Sequence, residues 1–391
     1  MIFSGMYILD LKFDLKFVNL IYKMTCNPFN VSGTIDYNKL IYQFGAQPIS
    51  NDLIERFEKI TQTKAHKFLK RGIVISHRDL NKILDNIESG KEVYLYTGRG
   101  PSSESLHIGH LIPLMFTKYL QDALKCKLVI QMTTDEKYLF KDLTLDQVQQ
   151  MCYNNIKDII AVGFDPQRTF IFDNLEYIQK LYPTILQIQK QININKLQSC
   201  FGFNESDNVG KYMFPAIQIA PCFASCFPGF LDPNAVCLVP CAIDQDNYFR
   251  LARDIANFQK PAVIHTRFLP SFKGESKMSS SVGEALFVNS TDKQIIKAVK
   301  GCVSGGGETL ELHRLNGADL TKDVAYQYLY IFLEDEEQLA KIASEYSSGK
   351  MLTGEIKNLL INLLKEEFSQ YQQKRNNVTD EDVKIFMTLE K

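Results

Sequence analysis

The feature that most constrains this chain is a switch from strand to helix across residues 92–120. Glu92-Val-Tyr-Leu-Tyr96 alternates as a β-strand does, and Leu111 to Leu120 carries apolar residues at helical spacing. Between them stands Thr97-Gly-Arg-Gly-Pro-Ser-Ser-Glu-Ser-Leu-His-Ile-Gly-His110. Gly98, Gly100 and Pro101 end the strand, which places the turn at the carboxyl edge of a sheet, where open α/β folds bind their ligands. Gly98 and Gly100 permit a close backbone approach, and Ser102 or Ser103 can cap the helix. The helix N-terminus, His107, His110 and Arg99 together favour an anion such as a nucleotide phosphate. Gly109 leaves a spot without a side chain where a base or ribose can lie. Two histidines three apart could also be half of a metal site, but no Glu or Cys follows at ligand spacing, so no protein metal ligand is expected. Pro113 predicts a kink or a late start to the regular turns.

At 391 residues the chain exceeds one ordinary domain. Hydrophobic residues at 45% and charged ones at 23% describe a soluble globular protein. A net charge of -1 carries no global signature of nucleic-acid binding, so RNA contacts would be local and no DNA partner is expected. Nine cysteines, an odd number scattered through apolar segments, suit a reducing compartment and a cytoplasmic location. Cys222 and Cys226 followed by Cys237 and Cys241 have a spacing that admits zinc, but the second pair lies in a strand-like run and no knuckle glycines accompany either. Core thiols are the better reading.

Asp10, Lys12, Asp14 and Lys16 exclude a membrane span over residues 1–23, and no signal peptide or presequence pattern is present there. Met24 is an alternative start, so 1–23 is read as an N-terminal extension that need not belong to the native protein. Residues 24–90 read as a short helical region, with Ser50 or Asn51 capping one helix through Thr61 and Ser76 capping another from His77 to Ile87. Lys67, Lys70 and Arg71 read as a solvated helix face. Residues 91–290 alternate strands (Lys127–Met132, Thr169–Phe172, Val236–Val239, Ala262–His265) with helices, one opened by a Thr144–Gln147 capping box. Gly305 to Gly307 reads as a breaker, and 291–391 is helical throughout. The order is that of a Rossmann-like, doubly wound parallel sheet, α/β in class, followed by a C-terminal α-helical domain.

After the last strand comes Phe272-Lys-Gly-Glu-Ser-Lys-Met-Ser-Ser-Ser-Val-Gly283, a Gly- and Ser-rich stretch that can bring the Lys277 ammonium onto phosphate oxygens. His107-Ile-Gly-His110 followed by Lys277-Met-Ser-Ser-Ser281 resembles the two signatures of class I aminoacyl-tRNA synthetases. Tyr96-Thr-Gly-Arg-Gly-Pro-Ser-Ser103, Phe214-Pro-Ala-Ile-Gln218 and Cys241-Ala-Ile-Asp-Gln-Asp246 resemble the eukaryotic-type tryptophanyl-tRNA synthetases in particular, from about Asn27 almost to the C-terminus.

The resemblance implies activation of L-tryptophan by ATP and transfer to tRNA(Trp), by a homodimer, with Mg²⁺ bridging the phosphates. His107, His110 and Lys277 would be catalytic. Thr97, Gly98, Arg99, Gly109, Met278, Ser279 and Ser280 would hold ATP, and residues 291–391 would bind the anticodon. Tyr96 and Gln131 would accept the indole N–H, while Glu136, Gln218 and Gln245 hold the α-ammonium and carboxylate. Ser280 stands where the general class I pattern has a second lysine. There is no room for an appended N-terminal helix-turn-helix domain, and no editing domain is visible. Three rival readings remain: a tyrosyl-tRNA synthetase, which would want an aspartate for the phenol where Gln131 stands; a cytidylyltransferase, which would not need the helical tail; and a silent paralogue, against which the intact motifs count.

Overall fold

Five of the runs that read as strands lie side by side in parallel, because each is apolar on both faces and must be covered twice. The computed structural model describes residues 25–26, 28, 31–32, 36–256, 259–274 and 285–389. Its strands are β1 (Thr25–Cys26), β2 (Val31–Ser32), β3 (Gln47–Pro48), β4 (Val74–Arg78), β5 (Val93–Arg99), β6 (Lys127–Met132), β7 (Thr169–Asp173), β8 (Val236–Ala242) and β9 (Ala262–Thr266). β1 and β2 pair with each other, and the other seven form one sheet in the order β3-β4-β9-β8-β5-β6-β7.

The chain enters the parallel array at its centre with β5 and works outward through β6 and β7. It then returns to the other side of β5 with β8 and β9. The two windings part at β5 and β8, which pair only from Val93 to Leu95 against Val236 to Leu238, whereas β5 follows β6 as far as Arg99 and Met132. The gap beyond Leu95 and Leu238 is the switch point at which such folds bind ligands.

Strand alternation sorts the core. Leu95, Leu128, Ile130, Ile171, Leu238 and Ile264 belong to one buried cluster, while Tyr94, Tyr96, Val129, Phe170, Phe172, Val239 and Val263 belong to another on the opposite face. The first cluster continues without a break into Val324, Leu329, Ile356, Leu360 and Leu364 of the C-terminal helices. The described part of that region is helical, from Asp292–Lys300 to Asp380–Met387.

Two local expectations need correction. Residues 74–78 form β4, antiparallel to β9, and the helix begins only at Leu80, after Asp79 takes φ 58°. Ser76 therefore caps nothing; its hydroxyl lies 2.9 Å from His265 Nδ1. Three β-prone residues, Ile73 to Ile75, outweigh the polar turn that looked like a cap. The helix Ile108–Leu124 starts from His107, not from Ser102 or Ser103, and runs through Pro113. By contrast Ser50 caps Asn51–Thr61, and Thr144 with Gln147 forms the expected capping box. The three glycines at 305–307 do more than break a helix: a Cβ on Gly305 would stand 2.0 Å from the Asp319 carbonyl oxygen, and one on Gly307 2.5 Å from the His313 nitrogen.

Lys67 and Arg71 are not a solvated face. Lys67 Nζ donates to Phe332 O at 2.8 Å and Glu334 at 2.6 Å. Arg71 Nη1 donates to Tyr330 O at 2.7 Å and Leu333 O at 2.8 Å, and its guanidinium pairs with Glu336. Both side chains satisfy orphan carbonyls at the end of helix Val324–Phe332, tying the N-terminal region to the C-terminal one. Arg71→Ala strands two carbonyls and is expected to cost about 1–3 kcal/mol, read as a lower thermal midpoint. An unchanged midpoint would contradict the role.

His66 and His77 are each pushed down to about 4, mainly by burial. In each ring Nδ1 accepts a backbone N–H, from Phe68 at 3.1 Å and Leu80 at 3.2 Å, a bond that protonating that nitrogen destroys. With folded values below the ordinary 6.5, their stabilisation is complete above that pH and is lost as pH falls toward 4. Asp135, pushed up to about 6 by burial, works the other way over the lower part of the window. Glu367 and Asp173, also raised by burial, act with Asp135. The imidazoles are therefore tested by difference: from pH 7 to 5 the thermal midpoint of the unaltered protein should drop relative to that of the His66→Gln/His77→Gln variant, and no relative drop would contradict the assignment.

Candidate active site

The carboxyl end of β5 carries side chains to both faces of the sheet. Tyr96 and Gly98 point to one, Thr97 and Arg99 to the other.

On the first face Tyr96 is fully buried, its ring edge-on to Phe249 with centroids 6.0 Å apart. Its hydroxyl lies 2.5 Å from Gln131 Oε1 and 2.5 Å from the Gln218 carbonyl oxygen. Gln131, on β6, is also fully buried, and its Nε2 donates to Asn174 Oδ1 at 2.8 Å and Ile217 O at 3.2 Å. Asn174 Nδ2 in turn donates to Asp135 Oδ1 at 2.8 Å. The direction of every bond in this chain follows from its end: the Asp135 carboxylate accepts, so Asn174 presents its amide nitrogen there and its oxygen to Gln131. Gln131 then presents its own oxygen to Tyr96. Burial holds the Tyr96 phenol well above its ordinary pKa, so it keeps its proton. One phenol proton thus faces two acceptor oxygens, and the cluster is one donor short.

The remaining pocket residues border this cluster. Gly98 stands opposite Gln131 in register, and a Cβ there would lie 3.6 Å from Gln218 Nε2. A Cβ on Gly100 would lie 2.5 Å from Glu136 Oε2 and 2.2 Å from Lys137 Cε, so bare backbone rests against that acid–base pair. Glu136 accepts from Thr133 Oγ1 at 2.9 Å and Lys137 Nζ at 2.8 Å. Gln245 is half-buried in the turn that follows β8, across the gap from β5.

On the other face, the Thr97 hydroxyl lies 3.4 Å from the Pro240 carbonyl. Arg99 Nε donates to Asn155 Oδ1 at 3.0 Å, and its Nη1 lies 2.9 Å from His110 Nε2. The His107 and His110 rings stack with centroids 3.4 Å apart and planes 22° from parallel, and Gly109 lies between them in the first helical turn. Two N–H groups approach His110, the second being the His107 amide at 3.3 Å from Nδ1. A neutral imidazole accepts at only one nitrogen, and the shorter, charge-assisted bond from Arg99 takes precedence. Burial lowers Arg99 to about 10, which leaves it cationic at neutral pH. Its Nη2 is buried without a hydrogen-bond partner among the described residues. A guanidinium donor left bare in this way is suited to an anion arriving from outside.

Of the residues singled out in the sequence, Tyr96, Gln131 and Gln218 form one cluster, with Gly98, Gly100 and Glu136 along its rim. Arg99, His107 and His110 form a second. Lys277, Met278, Ser279 and Ser280 lie outside the described residues, as does the extension 1–23. Asp135, Asn155, Asp158 and Asn174 were missed. On a helix such polar residues look like solvated positions; the one signal was that Asn155 and Asp158 stand three apart, flanked by Cys152, Ile156 and Ile159. The four cysteines read as core thiols are all buried, and no group of three or more metal-binding side chains occurs among the described residues. No helix among the described residues is long and apolar enough to cross a membrane.

Residues 88–369 match the family described as tRNA synthetases class I (W and Y). The cytoplasmic tryptophan–tRNA ligase of Dictyostelium discoideum is 53% identical over 371 residues, covering 92% of this chain and 93% of that protein. The cytoplasmic tryptophan–tRNA ligase of Homo sapiens is 50% identical over 91% of this chain and 78% of its own length. Among solved structures, the tryptophanyl-tRNA synthetase of Plasmodium falciparum superposes with a TM-score of 0.86 at 48% identity, covering 91% of this chain and 96% of that one.

Proposed function

The chain belongs to the class I tRNA synthetases of the tryptophan and tyrosine group, and on that premise we propose that it is a cytoplasmic tryptophan–tRNA ligase. In the first step a carboxylate oxygen of L-tryptophan attacks the α-phosphorus of ATP, the bond to the bridging oxygen breaks, and pyrophosphate leaves. In the second, a ribose hydroxyl at the 3′ end of tRNA(Trp) attacks the tryptophanyl carbonyl and AMP departs. Neither step needs a covalent enzyme intermediate, so the protein's part is positioning and charge stabilisation.

The observation that carries the pocket is the shortage of donors at Tyr96, and the similarity to tryptophan–tRNA ligases supports tryptophan over tyrosine. An indole N–H directed at Gln131 Oε1 satisfies that oxygen and leaves the phenol proton to the Gln218 carbonyl, while one directed at Tyr96 Oη meets the phenol's own acceptor side. Phenylalanine brings no donor at all; a tyrosine phenol does bring an O–H, so its rejection falls to the shape of the pocket. By family matching, Glu136, Gln218 and Gln245 would receive the α-ammonium and carboxylate. On the other face, Arg99 Nη2, His107 and His110 receive the α-phosphate, and Gly98 and Gly109 allow ATP to lie close. Thr97, Met278, Ser279 and Ser280 complete the nucleotide site by family matching. Lys277 meets the pyrophosphate as its charge grows.

Mg²⁺ enters with ATP as part of the substrate. Bound to ATP, it would neutralise charge on the leaving group. By the same family reading, the helices from 291 onward bind the anticodon and the enzyme acts as a homodimer.

ATP–pyrophosphate exchange with each amino acid in turn tests the reading. Exchange is expected with tryptophan alone. Exchange supported by tyrosine would move the protein to the sister specificity.

A further inference from the structure

The last turns of helix Thr353–Asn376 reach two separate places beside the histidine corner. Arg375 Nε donates to Asp158 Oδ1 at 3.0 Å, and the Tyr371 hydroxyl donates to the Asp158 carbonyl. The Asp158 side chain is wholly buried. Its other oxygen, Oδ2, accepts from Ser105 Oγ at 2.8 Å and from the Leu106 amide at 2.9 Å. One turn before Asp158, on helix Leu145–Ala161, Asn155 Nδ2 donates to the Ser103 carbonyl at 2.8 Å while its oxygen holds Arg99.

Gln372, between Tyr371 and Arg375, reaches the second place. Its Nε2 donates to the carbonyls of Val288 at 2.9 Å and Ser290 at 3.1 Å. That segment returns to the corner as well. Ile108 N donates to Leu286 O at 2.9 Å, Val288 N donates to Leu106 O at 2.9 Å, and His107 faces Phe287 across the bridge. Leu106 is thus gripped by its N–H through Asp158 and by its C=O through Val288, and the next residue is His107.

The geometry points to Asp158, Arg375 and Gln372 as positioning residues for adenylation, through which the C-terminal helix sets where His107 stands. None of them lines the tryptophan cluster, which is built on the other face of the sheet. The physical ground is that a buried carboxylate with three donors from two chain segments has essentially one low-energy arrangement. Releasing one donor lets the loop relax, and small displacements of reacting groups cost large factors in rate. The inference rests on the ligase reading above.

The test uses full-length Arg375→Ala and Gln372→Ala, with Arg375→Lys as the conservative variant, since the Asp158 contact is a single N–H that an ammonium can replace. In tryptophan-dependent ATP–pyrophosphate exchange, kcat should fall about tenfold in Arg375→Ala while the tryptophan KM stays within about twofold, and Arg375→Lys should recover most of the loss. Gln372→Ala should fall in the same sense. An unchanged kcat, parallel losses in kcat and KM, or losses that track the unfolded fraction in thermal melts would overturn the inference. If the unaltered protein shows no tryptophan-dependent exchange, the ligase reading fails by itself. The clamp is then judged by amide hydrogen exchange at Leu106 and Val288, which should quicken in Arg375→Ala and would refute it by staying the same.

Discussion

Lys277→Ala lowers the turnover of tryptophan-dependent ATP–pyrophosphate exchange by about a hundred- to a thousandfold and leaves the tryptophan KM within about threefold. Arg99 is held within the fold by His110 and by Asn155, so with His110 it forms a fixed cradle for the ground-state phosphate. The charge that grows on the leaving pyrophosphate needs a cation of its own. The motif supplies only one, because Ser280 stands where the general pattern has a second lysine. A contact made mainly in the transition state lowers kcat when removed and spares ground-state binding. Pre-steady-state and exchange kinetics read the two separately, and equal losses in rate and affinity would contradict the role.

Gln131→Leu, close in volume and without the acceptor, should weaken tryptophan about ten- to a hundredfold and compress the preference for tryptophan over phenylalanine. The substitution removes more than one hydrogen bond. It leaves Asn174 Oδ1 and the Ile217 carbonyl without the Nε2 donor, and the indole N–H must turn to Tyr96 alone. Asn174→Ala should act in the same direction by a different route, freeing the Gln131 amide to turn over. Equilibrium binding of tryptophan and phenylalanine to both variants measures this; unchanged selectivity in Gln131→Leu would remove that residue from the pocket.

How much of this could be read beforehand follows from how local each signal is. The five parallel strands announce themselves by short apolar runs bounded by turn residues, and the helix starts at Ser50 and Thr144 by caps three residues long. Tyr96, Arg99 and the histidine pair sit within one short stretch, which places them at one sheet edge, though Tyr96 and Arg99 point to opposite faces of β5. β4 was lost because Val74 to Arg78 is stabilised by β9, almost two hundred residues away, and by the Ser76–His265 contact. Lys67 and Arg71 looked solvated because their partners are carbonyls at the end of a distant helix. Asp135 and Asn174 escaped for a related reason: each matters only because Gln131, on another strand, needs its amide held one way round. A local pattern locates groups that act through their own neighbours in sequence, and leaves out those that act through the fold.

The most direct measurement is a crystal structure of the protein with a non-hydrolysable tryptophanyl-adenylate analogue. The account predicts the indole nitrogen within about 3.2 Å of Gln131 Oε1 or Tyr96 Oη, with a phosphate oxygen on Arg99 Nη2 beside the two imidazoles. An indole nitrogen turned to any other acceptor, or an adenylate seated away from the gap between β5 and β8, would contradict it.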